Sequence, residues 1–188
     1  MLIVLSGPSG VGKDTLLDRL EQKCLGLERC VTYTTRAPRP MEVSGADYHF
    51  VSEDEFQRII AEDGFLEYAK VHLNHYGTPS VPVANSRAKG LDVVLKIDVQ
   101  GGLTVKVKVP DAVMIFIAPP SLEELERRLR ARTTDTEAAI TKRLADARNE
   151  IAKISEYDYL VVNDDIDTAV DRLNCIITAE RSRIVSWD

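Results

Sequence analysis

The sequence predicts an α/β fold in which a central, parallel β-sheet is covered by helices on both faces. Short apolar runs of strand length alternate with amphipathic segments of helix length over most of the 188 residues. The first run, Leu2-Ile3-Val4-Leu5, leads into a glycine-rich turn and then into leucines at helical spacing. Strands that alternate with helices form a parallel sheet, and the right-handed strand–helix–strand connections pack the helices on its faces. The predicted architecture therefore has three layers.

Each predicted element rests on a local pattern. Apolar runs, typical of strands buried on both faces, lie at residues 2–5, 112–117 and 159–162, and a mostly apolar run at 93–98 ends in the carboxylate of Asp98. Residues 65–71 also resemble a strand, and HYGTP (75–79) is interpreted as the turn after it. Helices are predicted after the glycine turn and over residues 53–62, 81–89, 137–154 and 166–184. Ser52 with Glu55, and Ser121 with Glu124, form capping boxes that begin two helices.

Residues 33–80 interrupt this alternation. They are polar, short-stranded and rich in Arg, Tyr and Thr. The chain length suits one domain, or one domain with an insertion. We therefore predict that this segment is a subdomain inserted on the core.

Composition excludes several classes of protein. The net charge of −6 and the pI of about 5.2 disfavour non-specific nucleic-acid binding, which needs a basic surface. No apolar run approaches the roughly 20 residues of a membrane helix, and the N-terminal run is interpreted as a strand rather than a signal peptide. Cys24, Cys30 and Cys175 lack metal-type spacing, so we expect idle thiols in a reducing compartment. These features predict a cytoplasmic protein without membrane or nucleic-acid partners.

Residues 7–15, GPSGVGKDT, carry the clearest chemistry. Glycines let backbone N–H groups surround a phosphate, the helix N-terminus adds a positive dipole end, and Lys13 adds a charge. Asp14 stands where this motif calls for Ser or Thr, but a carboxylate can also ligate Mg²⁺. The sequence thus predicts a fold of the P-loop NTPase type with Asp14 as metal ligand. The predicted ATP-binding residues are Gly7, Pro8, Ser9, Gly10, Val11, Gly12, Lys13, Asp14 and Thr15.

Six motifs, in this order and spacing, closely resemble the guanylate kinase family: GPSGVGK, TTRAPRP, DYHFVS (47–52), HYGTP, IDVQGG and VVND. That family transfers the γ-phosphoryl group of ATP to GMP, with Mg²⁺, giving ADP and GDP. The resemblance implies a core (1–32, 81–125 and 155–188), a GMP-binding subdomain (about 33–80) and a helical lid (about 126–154). It also implies dGMP as a further acceptor and a monomer or homodimer.

The resemblance assigns an acceptor site to residues of four of these motifs and to Thr32 and Glu67, which lie outside them. Two guanidinium groups three residues apart, on a backbone stiffened by prolines, suit a phosphate dianion. One carboxylate can accept both the N1–H and N2–H₂ donors of guanine, whereas adenine leaves that charge unpaired. The implied GMP-binding residues are Thr32, Arg36, Arg39, Tyr48, Glu67, Tyr76, Thr78 and Asp98.

The family also implies a lid and a donor site. Arg128, Arg132 and Arg143 match positions that close over the phosphates, where they act with Lys13 to stabilise charge on the transferred group. Arg127 and Arg130 are expected on a solvated basic face. Asn163 matches the region that holds the donor nucleoside.

Two further departures from the family pattern stand out beside Asp14. Ala131-Arg132-Thr133 replaces the usual Gly-Arg-Gly, which predicts a stiffer lid hinge. Lys96 replaces an acid near the metal shell, which gives the hypothesis that Asp14 and Lys96 approach each other as a direct or water-mediated ion pair.

Two alternatives to a GMP kinase remain open. Kinases of another phosphorylated acceptor, such as ribose 1,5-bisphosphate, also carry Asp after the lysine of the loop, although they lack the full guanine-reading set. Non-catalytic guanylate-kinase-like binding domains typically degrade the phosphate loop, whereas Gly7 to Lys13 is intact here.

Overall fold

The computed structural model describes residues 1–71, 73–131 and 136–184. The strands are β1 (Leu2–Ser6), β2 (Leu27–Arg29), β3 (Tyr33–Thr34), β4 (His49–Phe50), β5 (Phe65–Val71), β6 (Asn74–Pro79), β7 (Asp92–Lys96), β8 (Val113–Ala118) and β9 (Tyr159–Val162). The helices are α1 (Lys13–Lys23), α2 (Glu53–Ala61), α3 (Ser80–Ala88), α4 (Val99–Lys108), α5 (Leu122–Arg130), α6 (Glu137–Ile151) and α7 (Ile166–Arg181), with a 3₁₀ turn at Ile154–Glu156.

The strands form two sheets. Five strands follow the order β2-β7-β1-β8-β9, with β2 parallel to β7 and β8 parallel to β9. Four shorter strands follow the order β4-β3-β6-β5. The chain divides into two compact units: a first unit of Met1–Val4 and Leu27–Ala112, and a second unit of Leu5–Gly26 and Val113–Asp188. The predicted α/β class with a central parallel sheet is confirmed.

The first unit holds the four-stranded sheet. Strand β6 pairs antiparallel with both β5 and β3, so that this sheet lies within residues 33–80. Phe65, Glu67 and Ala69 alternate onto the buried face of β5, and the Phe65 ring packs 4.6 Å from that of Phe56 on α2. The boundaries of core, GMP-binding subdomain and lid stay a prediction.

The second unit packs helices on β8 and β9. Every residue of β8 is buried, as a strand covered on both faces requires. Ion pairs from Arg19 to Asp167 and from Lys23 to Asp171 connect α1 with α7. Leu125 and Leu129 of α5 pack with Ile140 and Ala147 of α6. Within the described ranges, every helix is too short or too polar to span a bilayer.

Most predicted elements are confirmed, including the Ser52 and Ser121 caps, whose hydroxyls accept from the Glu55 and Glu124 amides. Three predictions were wrong. HYGTP is part of strand β6 rather than a turn, because it pairs with β5. Asp98 does not end a strand but caps α4, a helix that the sequence pattern did not indicate. Residues 159–162 do form strand β9, but it ends the strand order of its sheet and its Leu160 is 50% exposed, so it is not the buried strand that its apolar residues predicted. The three shortest strands, β2, β3 and β4, were not predicted.

Candidate functional site

The glycine-rich segment forms a tight loop between β1 and α1 in the second unit. Gly7, Gly10 and Gly12 have φ values of 144°, 90° and 97°, which L side chains rarely adopt. A Cβ at Gly7 would lie 2.1 Å from the Ile117 carbonyl oxygen on β8. The loop therefore requires glycine for both its backbone conformation and its close packing.

Lys13 is the first residue of α1, and its side chain turns back along the loop. Its Nζ donates to the carbonyl oxygens of Gly7 and, at 3.0 Å, Pro8. Asp14 and Thr15 follow as exposed residues of the first helical turn, where the positive end of the helix dipole favours an anion. Ser9 is exposed, whereas Pro8 and Val11 are buried.

A hydrogen-bond network holds the back of the loop. The Asn163 side-chain amide donates to the Val11 carbonyl oxygen at 2.7 Å, and Asn163 is only 5% exposed. Arg128 donates to the Asn163 carbonyl oxygen at 3.0 Å and to that of Val11 at 3.4 Å, while its Nε donates to Glu124 at 2.8 Å. Asn163 and Arg128 therefore fix the backbone of the loop through Val11.

Gly12→Ala should damage this network. A Cβ there would lie 2.7 Å from the Asn163 amide nitrogen, so the amide must leave the Val11 carbonyl. Gly90→Ala is a matched control, because Gly90 has φ 78° and nothing within 4 Å of its Cβ position. Backbone strain should lower the free energy of unfolding of Gly90→Ala by about 1 kcal/mol. Gly12→Ala should lose about 1–3 kcal/mol more, because it also loses a buried hydrogen bond.

The measurement is urea unfolding of both variants, together with the KM for ATP. We expect a KM for ATP raised about tenfold or more in Gly12→Ala only. Equal stability losses and an unchanged KM in both variants would show that crowding at Asn163 does not matter to the loop.

The predicted lid arginines differ in their surroundings. Arg127 pairs with Glu124, and Arg130 pairs with Glu126 and Glu137. These pairs are exposed, as expected for a solvated basic face. Arg143 lies half-buried on α6. Arg132, with Thr133 of the predicted hinge, lies outside the described residues.

The first unit contains the predicted acceptor residues. Arg36 donates to Glu42 at 2.8 Å, and both side chains are more than four-fifths buried. The other oxygen of Glu42 accepts from the Arg39 backbone N–H at 2.7 Å. Burial lowers the pKa of the Arg36 guanidinium, but its hydrogen bonds to Glu42 and Tyr76 outweigh burial and raise the pKa overall. Glu42 thus links the Arg36 side chain to the Arg39 backbone and stabilises the loop that carries both arginines.

Two tyrosines surround the Arg36 guanidinium. The rings of Tyr48 and Tyr76 meet edge-to-face, with centroids 6.0 Å apart. The Arg36 Cζ lies 5.5 Å from the Tyr48 ring centroid, and the Lys96 Nζ lies 5.2 Å from the same centroid. The structure therefore brings Arg36, Tyr48 and Tyr76 of the predicted phosphate site together within the first unit, with Lys96 beside the same Tyr48 ring. Arg39 itself is exposed.

Glu67 is a carboxylate on the buried face of a strand, only 3% exposed. It lies opposite Thr78 in the β5–β6 register, and the Thr78 hydroxyl donates to its Oε1 at 2.5 Å. A Cβ on Gly101 would lie 2.6 Å from Glu67 Oε2, and the Gly101 N–H donates to Asp98 Oδ1 at 2.6 Å. Because Gly101 has no side chain, the Glu67 carboxylate can occupy the space beside it. Thr32 is also buried, and its carbonyl accepts from His49.

The environment of Glu67 changes its titration. Its pKa is raised to about 7, mainly because burial disfavours the charged form; the Thr78 hydrogen bond and Lys108 act to lower this pKa, and the charge of Asp98 acts to raise it. A carboxylate this poorly solvated gains more than an exposed one from a ligand that donates hydrogen bonds.

Two residues that shape the candidate site, Glu42 and Gly101, were not identified from the sequence. Glu42 lies six residues after Arg36, and an acid beside two loop arginines is a weak signal that could have suggested an ion pair. Gly101 sits in the IDVQGG motif, but its role depends on the distant Glu67, which no local pattern could reveal.

A loop that can cradle phosphates, following a parallel strand and opening a helix, together with this α/β fold, defines a P-loop kinase of small phosphorylated substrates. The sequence model of the guanylate kinase family matches residues 1–180. The chain therefore belongs to the guanylate kinase family, and it is a phosphotransferase.

Similar proteins agree with this assignment. The guanylate kinase of Caldanaerobacter subterraneus subsp. tengcongensis is 50% identical over 184 residues, covering 98% of this chain and 89% of that protein. The guanylate kinase of Streptococcus thermophilus is 51% identical over 185 residues, covering 98% and 88%. The crystal structure of guanylate kinase from Anaplasma phagocytophilum superposes with a TM-score of 0.81 at 36% identity, covering 98% of this chain and 87% of that one.

Proposed function

We propose that this protein transfers the γ-phosphoryl group of ATP to GMP, giving ADP and GDP. The observation that carries the proposal is the buried Glu67 carboxylate, which accepts from Thr78 beside the space left by Gly101. A buried carboxylate with remaining acceptor capacity suits a base that presents two adjacent N–H donors. Guanine does so and adenine does not.

The second unit would bind ATP. Backbone N–H groups of the loop and the Lys13 ammonium, already held along the loop by two carbonyls, would contact the phosphates. Asn163 and Arg128 act through Val11, so we propose that both position the loop. We further propose that Arg132 and Arg143 neutralise charge on the transferred group.

Mg²⁺ fits the residues of the loop. Residues 1–71, 73–131 and 136–184 hold no cluster of three or more His, Cys, Asp or Glu that could bind a metal. Kinases usually bind Mg²⁺ through one or two carboxylates together with substrate phosphates, so the exposed Asp14 carboxylate beside Lys13 is sufficient as a protein ligand. When bound, the ion would neutralise charge on the phosphates. An approach of Asp14 to Lys96 stays a hypothesis.

The first unit would bind GMP, and dGMP as a further acceptor. Arg36, Arg39, Tyr48 and Tyr76 would hold the phosphate, while a second set of residues, Thr32, Glu67, Thr78 and Asp98, would read guanine. The phosphate oxygen of GMP is already an adequate nucleophile, so no strong general base is needed.

We also propose a cytoplasmic location, which the three cysteines support, since Cys24, Cys30 and Cys175 are all free thiols. Burial and two nearby carboxylates raise the pKa of Cys30 to about 12, so this thiol is unreactive at neutral pH.

The proposed reaction is tested by following ADP release with ATP and either GMP, dGMP or ribose 1,5-bisphosphate. GDP and dGDP should form, and ribose 1,5-bisphosphate should not react. Turnover with ribose 1,5-bisphosphate but not GMP would establish the alternative kinase. Binding of GMP without ADP release would indicate a non-catalytic domain.

Asp14→Ser tests the metal ligand. Ser restores the hydroxyl that the loop motif usually carries, so the variant should keep its activity but change its Mg²⁺ requirement by several-fold. The measurement is kcat as a function of free Mg²⁺, with the KM for GMP measured beside it. A changed KM for GMP with an unchanged Mg²⁺ dependence would show that Asp14 serves the acceptor site instead.

A further inference from the structure

Lys96 occupies a position that the proposed function does not yet use. It is the last residue of β7, it is partly buried, and its Nζ lies 5.2 Å from the centre of the Tyr48 ring. This distance is within the range in which an ammonium group is attracted to an aromatic face. The same ring is also contacted by Arg36, whose Cζ lies 5.5 Å from the centroid. One tyrosine thus orients two cations that come from distant parts of the chain.

The charge of this cluster supports a role in binding a dianion. The Arg36 charge is largely matched by Glu42, which also accepts from the Arg39 backbone. The two arginines and Glu42 together carry a single net positive charge, and Lys96 is a third basic side chain beside the same ring. A phosphate monoester carries a charge of about −1.5 to −2 at neutral pH, so a third basic side chain at this ring strengthens the attraction for such a ligand.

Asp98 is the acid nearest to Lys96 in sequence. Its Oδ1 accepts from the Gly101 N–H, where it caps α4 and adds to the negative field at Glu67. Glu67 and Asp98 thus form an acidic pair in the first unit, and Arg36 and Lys96 lie at the Tyr48 ring of the same unit. A nucleoside monophosphate offers both kinds of partner, with N–H donors at the base and negative charge at the phosphate.

We propose that Lys96 is a third cation of the acceptor-phosphate site and contributes to the selection of a dianionic acceptor. The inference rests on the proposed function, because it concerns the same acceptor. A long ammonium side chain acts mainly as a point charge, so its contribution should depend on the charge of the ligand and on ionic strength.

The test compares GMP with guanosine, which lacks the phosphate, by calorimetric titration of the wild type and Lys96→Met. The variant should lose about tenfold or more in affinity for GMP and keep its affinity for guanosine within about twofold. The salt dependence of GMP binding should be weaker in the variant. Lys96→Arg should retain most of the affinity, whereas Lys89→Met, which removes an exposed lysine at the end of α3, should behave as the wild type.

Two results would overturn the proposal. Equal losses for GMP and guanosine would show that Lys96 acts only on the fold of the unit. Unchanged GMP binding with an altered Mg²⁺ or ATP dependence would show that Lys96 serves the donor site. Failure of the proposed function is a separate observation, namely no GDP formation by the wild-type chain.

Discussion

Glu67→Gln is expected to stabilise the protein above neutral pH while it removes most of the activity with GMP. The wild-type carboxylate titrates near 4.5 when unfolded and at about 7 when folded, because burial disfavours its charge. Both states are protonated below pH 4.5, so Glu67 then costs nothing. As pH rises from 4.5 to about 7, only the unfolded state ionises freely, and wild-type stability falls. Above pH 7 the cost to the free energy of unfolding is constant, at about 3 kcal/mol.

The glutamine variant avoids this cost, because its side-chain oxygen can still accept from Thr78 and it carries no charge. Its advantage over the wild type in the free energy of unfolding should therefore be small at pH 4.5 and reach about 3 kcal/mol, or about 6–12 °C in Tm, at pH 8. Glu62→Gln is the matched control, since Glu62 is a 62%-exposed acid of the same unit and should show no such pH-dependent gain. A variant less stable than the wild type at pH 8 would contradict this account of Glu67.

Activity should change in the opposite direction. In Glu67→Gln the side-chain oxygen can accept one of the two guanine hydrogen bonds. The side-chain NH₂ group would face the other guanine N–H, and two donors cannot form a hydrogen bond. We expect kcat/KM for GMP to fall by about 10²-fold or more. Wild-type affinity for guanosine should itself weaken about tenfold per pH unit below 7, as Glu67 becomes protonated. The variant should show no such dependence, and calorimetry between pH 5.5 and 8 would measure it.

Lys13→Met is expected to lower kcat by about 10²–10³-fold or more. The Lys13 ammonium donates to the Gly7 and Pro8 carbonyl oxygens, which hold it beside the loop. It is the cation of the loop that would neutralise the negative charge of the phosphates during transfer. The change removes this charge and leaves both carbonyls without that donor. GMP binding should be unaffected, because the proposed acceptor residues lie in the first unit.

Lys23→Met provides the control for this prediction. Lys23 ends the same helix and pairs on the surface with Asp171, an interaction worth at most about 1 kcal/mol. Steady-state turnover with saturating ATP and GMP should be near wild type for Lys23→Met. A Lys13→Met variant that keeps a tenth or more of wild-type kcat would exclude a central role for Lys13.

Much of the fold was predictable because its signals are local. Strands β1, β7 and β8 are mostly buried and mostly apolar, and the Ser52 and Ser121 caps are defined within four residues. Helix α4 was not predictable, since VQGGLTVKVK combines two glycines with β-branched residues, which disfavour a helix. Its packing and the Asp98 cap override that propensity. Strands of two or three residues, such as β3 and β4, are too short to show any period.

The candidate site was predictable only where sequence motifs carry it. The loop from Gly7 to Lys13 depends on neighbours in sequence, so its conformation followed from the glycines. The burial of Glu67 was visible in principle, because it alternates with Phe65 and Ala69. The Arg36–Glu42 pair had only a weak local signal, an acid six residues after an arginine. The placement of Lys96 over Tyr48 depends on how distant segments fold together, and no local pattern could indicate it.

The central claim, that a buried carboxylate reads two adjacent guanine donors, is tested most directly by kcat/KM of the wild type with GMP, IMP and AMP. IMP keeps the N1–H but lacks the exocyclic amine, whereas AMP offers neither donor. We predict a graded series, in which IMP is about 10–10²-fold poorer than GMP and AMP is about 10⁴-fold poorer or worse. Equal values for GMP and IMP, or an AMP value within tenfold of GMP, would contradict the account.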